Sequence, residues 1–165
     1  LGDPVPRAAI AEGVGAACRL AATRGVSIVL EFIVESGMPS IAEAQAVAVE
    51  CGEPNCGVLV DTWHWSRSGA TLEDLRALPA GAIKAFQIND RAPPAPGSTY
   101  VPMSGRLLPG DGELPLCEIV AAGLANNPDL TFEIEVFNAE LKALSPDAAA
   151  ARVASAVDRL RRQLG

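Results

Sequence analysis

Four side chains able to donate oxygen fall one to a predicted strand, each near the strand's C-terminal end. They are Glu31 in Ser27-Ile-Val-Leu-Glu-Phe-Ile-Val34, Asp61 in Val58-Leu-Val-Asp61, Gln87 in Ala85-Phe-Gln-Ile-Asn-Asp90 and Glu135 in Thr131-Phe-Glu-Ile-Glu-Val-Phe137. Strands this apolar are normally buried on both faces, as in a parallel sheet covered by helices. A charged group in such a place is costly unless it is paired or bound to a cation. One acid there is an accident or a helix cap; four oxygen donors in successive units suggest a divalent-metal site. Three carboxylates and an amide form a hard donor set, which favours Mg²⁺ or Mn²⁺ over softer metals. The plainer alternative is that each acid caps a helix or pairs with an arginine.

His64, the only histidine, lies three residues after Asp61 in Asp61-Thr-Trp-His-Trp-Ser-Arg67. It could carry a proton or bind substrate; otherwise it packs between Trp63 and Trp65. Arg91 and Arg106 lie in or beside a long Pro- and Gly-rich segment, Asp90 to Gly112, and could hold an anionic or polyhydroxyl substrate. A loop of that length in a compact domain is usually functional or disordered, and this one reads as a wall or lid over the site. Pro109-Gly-Asp-Gly-Glu-Leu-Pro115 reads as a tight turn whose amides could face an anion.

The elements that must position these residues follow from pattern. A helix runs from Pro4 to Arg24 and stops at Gly25. Val26 to Val34 is a strand. Ser40-Ile-Ala-Glu43 opens a helix ending near Gly52. Gly57 to Asp61 is a strand, Thr71-Leu-Glu-Asp74 opens a short helix, and Ile83 to Asn89 is a third strand. Glu113 to Asn126 is a helix, Thr131 to Phe137 the fourth strand, and Ser145-Pro-Asp caps the last helix. The order is a helix followed by four parallel βα units, an α/β arrangement that amounts to half of a (β/α)₈ barrel. If alternate strand positions face inward, the four oxygen donors converge at the barrel mouth.

Composition narrows the partners. The 165 residues suit one domain, residues 1–165, and the net charge is −7 with only two lysines, Lys84 and Lys142. No basic stripe is present to attract nucleic acid. No apolar run is long enough to span a bilayer. Cys18, Cys51, Cys56 and Cys117 form no Cys-x-x-Cys pair, so they read as isolated small buried thiols in a reducing cytoplasm rather than as a Cys/His zinc site. The start at Leu1 suggests a trimmed or incomplete N-terminus.

Leu30-Glu31-Phe32, Val60-Asp-Thr-Trp-His64, Phe86-Gln-Ile-Asn-Asp90, Arg106-Leu-Leu-Pro-Gly-Asp-Gly-Glu-Leu-Pro115 and Ile134-Glu-Val-Phe-Asn138 run in order along nearly the whole chain. Together they resemble the sugar phosphate isomerase/epimerase family of xylose-isomerase-like TIM barrels, over what would be the C-terminal half of its barrel. The resemblance implies one divalent metal on Glu31, Asp61, Gln87 and Glu135, with Glu133 a competitor for the last place. It implies His64 in contact with substrate or metal, and Glu31 and Glu135 removing and returning a proton beside a carbonyl. It implies an isomerase or epimerase acting on a small carbohydrate. The alternatives are a dehydroshikimate- or inosose-type dehydratase on the same scaffold, which Gln87, standing where many members have His, makes harder to tell from an isomerase, and a catalytically silent half-barrel. A half-barrel exposes sheet edges and an inner face that would drive self-association. The relatives that cut abasic DNA use several histidines, which this chain lacks.

Overall fold

The structure, a computed structural model, describes residues 5–93 and 105–165. Helix α1 (Arg7–Ala22) packs beside α2 (Ile41–Cys51). Ser40 caps α2 by accepting from Glu43 N, and Gly52 ends it with a φ of 71° that a side chain would strain. Between these helices runs β1 (Ile28–Glu31), shorter than the apolar stretch predicts. Beyond Glu31 the chain turns, with Ser36 N bonded to Ile33 O and Ile33 N to Met38 O.

Strand β2 (Cys56–Asp61) is buried at every position. It leads straight into α3 (Thr62–Arg67) and then α4 (Leu72–Arg76), where Thr71 and Asp74 form a reciprocal capping box. Strand β3 (Ile83–Ile88) follows. The ends of the long loop pair as a two-rung antiparallel hairpin, β4 (Asp90–Arg91) with β5 (Arg106–Leu107). Much of the predicted lid, residues 94–104, lies outside the described residues. Helix α5 (Leu116–Asn126) begins after Pro115 rather than at Glu113. Strand β6 (Phe132–Ile134), a short α6 (Ala139–Lys142) and the long α7 (Pro146–Leu164) complete the chain.

The sheet order is β1-β2-β3-β6, all parallel. Four such units make a partial barrel, as the element order predicts. The outward face supplies Leu30, Val58, Val60, Ile83, Phe86 and Ile88 to a core shared with Ala44 and Val47 of α2, Leu75 of α4, Ile119 and Val120 of α5 and Leu160 of α7. Burying a Val, Leu, Ile or Phe side chain contributes about 1.5–3 kcal/mol, so this layer holds the strands in place. Phe86 meets Phe132 at 5.5 Å between ring centroids. Gly123 lets α5 close on that ring, since a Cβ there would stand 2.8 Å from Phe86 Cε2.

Parallel pairing places partners on the same face. The register aligns Glu31 with Leu59, Asp61 with Gln87, and Gln87 with Glu133. This alignment holds because one residue of β3 stays out of the ladder. Val58 pairs with Ile83 but Leu59 pairs with Ala85, so Lys84 is the surplus of a bulge.

Candidate metal centre at the strand ends

Asp61 is fully buried and every oxygen is used. Its Oδ1 accepts from Trp63 N at 2.6 Å, from His64 N at 3.4 Å and from Asn89 Nδ2 at 2.9 Å. Its Oδ2 accepts from Arg106 Nη1 at 2.9 Å. The aspartate therefore caps α3, and the cap is what turns an aromatic, β-branched segment of poor helix propensity into a helix. That helix carries His64 back toward the strand ends.

Arg106 is the centre of the cluster, with its side chain 1% exposed. Nη1 reaches both Asp61 Oδ2 and Glu135 Oε2 at 2.9 Å, and Nη2 lies 3.2 Å from His64 Nε2. The guanidinium carbon sits 5.6 Å from the Trp63 ring centroid and 5.2 Å from that of Phe137, a cation–π sandwich. Because a guanidinium offers only hydrogens, the contact to His64 Nε2 is a hydrogen bond only if that nitrogen accepts. Burial pushes the His64 pKa down; the Asp61 charge opposes this and the Arg106 and Arg67 charges reinforce it. The neutral ring so favoured can accept from Arg106.

Glu31 Oε1 stands 3.5 Å from His64 Nε2. Burial, then the charges of Asp61 and Glu135, push its carboxyl pKa up, and Arg106 pulls it partly back. Glu31, Asp61 and His64 offer ligand atoms that all lie within 4.8 Å of one another. Gln87 stands beside Asp61 in register, and its Oε1 is buried with no hydrogen-bond partner among the described residues. Glu135 lies one residue past β6 and joins the cluster through Arg106. Glu133 shares its face but is exposed.

Arg91 is used elsewhere. Its Nε and Nη2 bind Glu113 Oε1 at 3.2 and 2.8 Å, and Nη1 donates to Ser66 O at 3.2 Å. It ties α3 to the segment before α5. Two buried residues that the sequence reading did not single out do much of the positioning. Asn89 bonds Thr62, Asp61 and the carbonyl of Glu135. Asp90 accepts from the backbone N–H of Arg91, Gly110, Gly112 and Leu114. The amides of the Pro109–Pro115 turn do face an anion, and it is this carboxylate. A Cβ at Gly112 would collide with Asp90 Oδ1 and Arg91 O, which is why glycine stands there. Both residues belong to the quoted Gln-Ile-Asn-Asp run, whose polar end was the available signal.

A barrel-mouth cluster of acids, amide, histidine and arginine on parallel βα units defines a recognisable class of protein. The chain belongs to the xylose isomerase-like TIM barrel family, whose model matches residues 2–163. Solved structures show the same fold. The IolI protein with a binding zinc atom is 20% identical, with a TM-score of 0.83 over 94% of this chain and 56% of its own. D-psicose 3-epimerase in the presence of D-fructose is 18% identical, with a TM-score of 0.76 over 99% and 60%. The probable 3-DHS dehydratase AsbF from Bacillus anthracis, involved in petrobactin synthesis, is 16% identical, with a TM-score of 0.67 over 89% and 55%. The chain thus spans little more than half the length of these structures. No curated protein sequence matches it. Among the described residues, no helix is long and apolar enough to cross a membrane.

Proposed function

We propose that this chain carries the metal centre of an isomerase or epimerase acting on a sugar, keto-sugar or cyclic polyol by proton transfer beside a carbonyl. The observation that carries this reading is the meeting of Glu31, Asp61 and His64 ligand atoms within 4.8 Å at adjacent strand ends. The orphaned, buried Gln87 Oε1 beside them supports it, because an unpaired buried carbonyl oxygen is costly without a partner or cation. The charge balance supports it too. Glu31, Asp61 and Glu135 set three carboxylates against the single guanidinium of Arg106, and a hard divalent cation such as Mn²⁺ or Mg²⁺ matches the surplus.

Glu31, Asp61, Gln87 and Glu135 would hold the ion, which when bound supplies Lewis-acid polarisation of neighbouring hydroxyl and carbonyl oxygens. Glu31 is the proton carrier on one side. Its raised pKa moves it toward the operating range of a general base and acid. Glu135 is its counterpart on the other side. His64, neutral and tied to Arg106, orients a substrate hydroxyl at its rim. Arg106 holds Asp61 and Glu135 in place and faces substrate oxygens. Arg91 bears on the site through the loop it fixes.

Calorimetric titration of Mn²⁺ and Mg²⁺ into the chain, alongside Asp61→Asn, tests the centre. One-site binding that the variant loses is expected. Ketohexoses and keto-inositols are then incubated in D₂O with the metal-loaded chain. Deuterium entering the carbon next to the carbonyl, read by NMR, is expected. A folded chain with no saturable binding overturns the reading. Loss of water from the substrate, seen as a new enone absorption, replaces it with the dehydratase reading that AsbF and Gln87 suggest.

A further inference from the structure

Three of the four cysteines meet far from the carboxylates. Cys18 comes from the middle of α1, Cys51 is the last residue of α2 and Cys56 the first of β2. Their Sγ atoms all lie within 4.8 Å of one another. Cys18 is 0% exposed and Cys56 8%, while Cys51 is partly exposed and gives the cluster an opening. The surroundings are built to hold these three elements close. Asn55 Nδ2 donates to Cys18 O at 2.8 Å and to Val26 O at 3.0 Å, tying the start of β2 to α1. Gly15 brings α1 against the end of α2, where a Cβ would meet Cys51 O at 3.4 Å. Arg19 and Glu53 pair at 2.8 Å, bracing α1 against the turn between Cys51 and Cys56.

We propose that Cys18, Cys51 and Cys56 form a second cation site, one that takes a single soft, thiophilic ion of the copper(I) class in three-sulfur coordination. Thiolate ligands select Cu(I) and Zn²⁺ over hard cations. Three sulfurs each about 2.3 Å from one ion in a trigonal plane stand about 4.0 Å apart, so the observed spacing closes with small side-chain rotations. Among the described residues no fourth His, Cys, Asp or Glu joins the group, which fits a three-coordinate ion better than tetrahedral zinc. The ion displaces the thiol protons as it binds. The site is independent of the carboxylate cluster: Cys56 and Asp61 are the two ends of β2, on the order of 17 Å apart at about 3.3 Å per residue.

The test is an anaerobic titration of the reduced chain with Cu(I) against a chromophoric Cu(I) chelator. One equivalent is expected to bind. Each of Cys18→Ser, Cys51→Ser and Cys56→Ser should weaken it by more than the roughly 10- to 100-fold that loss of an outer partner costs, and Cys117→Ser should leave it unchanged. A second measurement needs no variant. One equivalent of Cu(I) should shield Cys51, the partly exposed member, from alkylation in the unaltered chain and leave Cys117 labelled, read by peptide mass spectrometry. Labelling of Cys51 that Cu(I) does not reduce, or binding that survives all three substitutions, means that the cluster only packs, and the proposal falls.

Discussion

The two ends of strand β2 gather opposite chemistries. At its C-terminal end Asp61 sits in a fully interlocked polar network with Arg106, Asn89, His64 and the α3 backbone. At its N-terminal end Cys56 meets two other thiols that make few hydrogen bonds; the Cys51 thiol donates to Ala48 O at 3.2 Å. The first end is hard, charged and held by many partners, so each member depends on the others. The second is soft and held by few hydrogen bonds. One strand thus carries an interlocked polar cluster at one end and a sparsely bonded thiol cluster at the other.

The comparison breaks most visibly at Arg106. Arg106→Ala leaves Asp61 buried with an unpaired charge, and urea unfolding should show a loss of about 3–5 kcal/mol. Added Mn²⁺ should recover part of that loss. A loss below about 1 kcal/mol would mean the carboxylate end is not interlocked. Next comes Asn89→Ala, which strips Asp61, Thr62 and the Glu135 carbonyl of a shared partner; about 1–3 kcal/mol is expected from the same measurement. Cys56→Ala at the other end should cost only about 1 kcal/mol and leave Mn²⁺ binding unchanged. A larger loss would show that the thiols matter for packing as much as the carboxylates do for charge.

The smallest effect concerns pH. The folded pKa of His64 lies below its ordinary value of 6.5, so the fold favours the neutral ring. That contribution is fully present above about pH 6.5 and fades as pH falls through the lowered value. His64→Gln should flatten the mildly acidic limb of a plot of melting temperature against pH. An unchanged slope would show that the ring titrates alike in folded and unfolded chains.

How much of this was readable varies along the chain in the same way. The four strands were legible because apolar, β-branched runs carry their own signal, and the oxygen donors repeat at their ends. Helix α3 was not, because Thr62, Trp63 and Trp65 are weak helix formers and the Asp61 cap decides the matter. Strands β4 and β5 are two residues each, too short for any periodicity. The start of α5 moved to Leu116 because Leu114 N is spent on Asp90 and Glu113 on Arg91. The thiol cluster was invisible for a different reason. Its members come from three elements with no local spacing, and only the packing of α1 on α2 brings them together.

The surplus residue in β3 carries an implication for how such a chain can change over generations. With Lys84 in place, Gln87 faces the acids and Phe86 faces the helices. Were Lys84 instead to join the ladder opposite Leu59, Asp61 would stand opposite the phenylalanine, and the downstream part of the strand would turn inside out. What sets the sidedness is therefore the gap in the ladder and not the number of residues. Loss of Lys84 would leave Val58 opposite Ile83 and Leu59 opposite Ala85 in an unbroken ladder, so lineages of this chain should tolerate its deletion as well as its substitution.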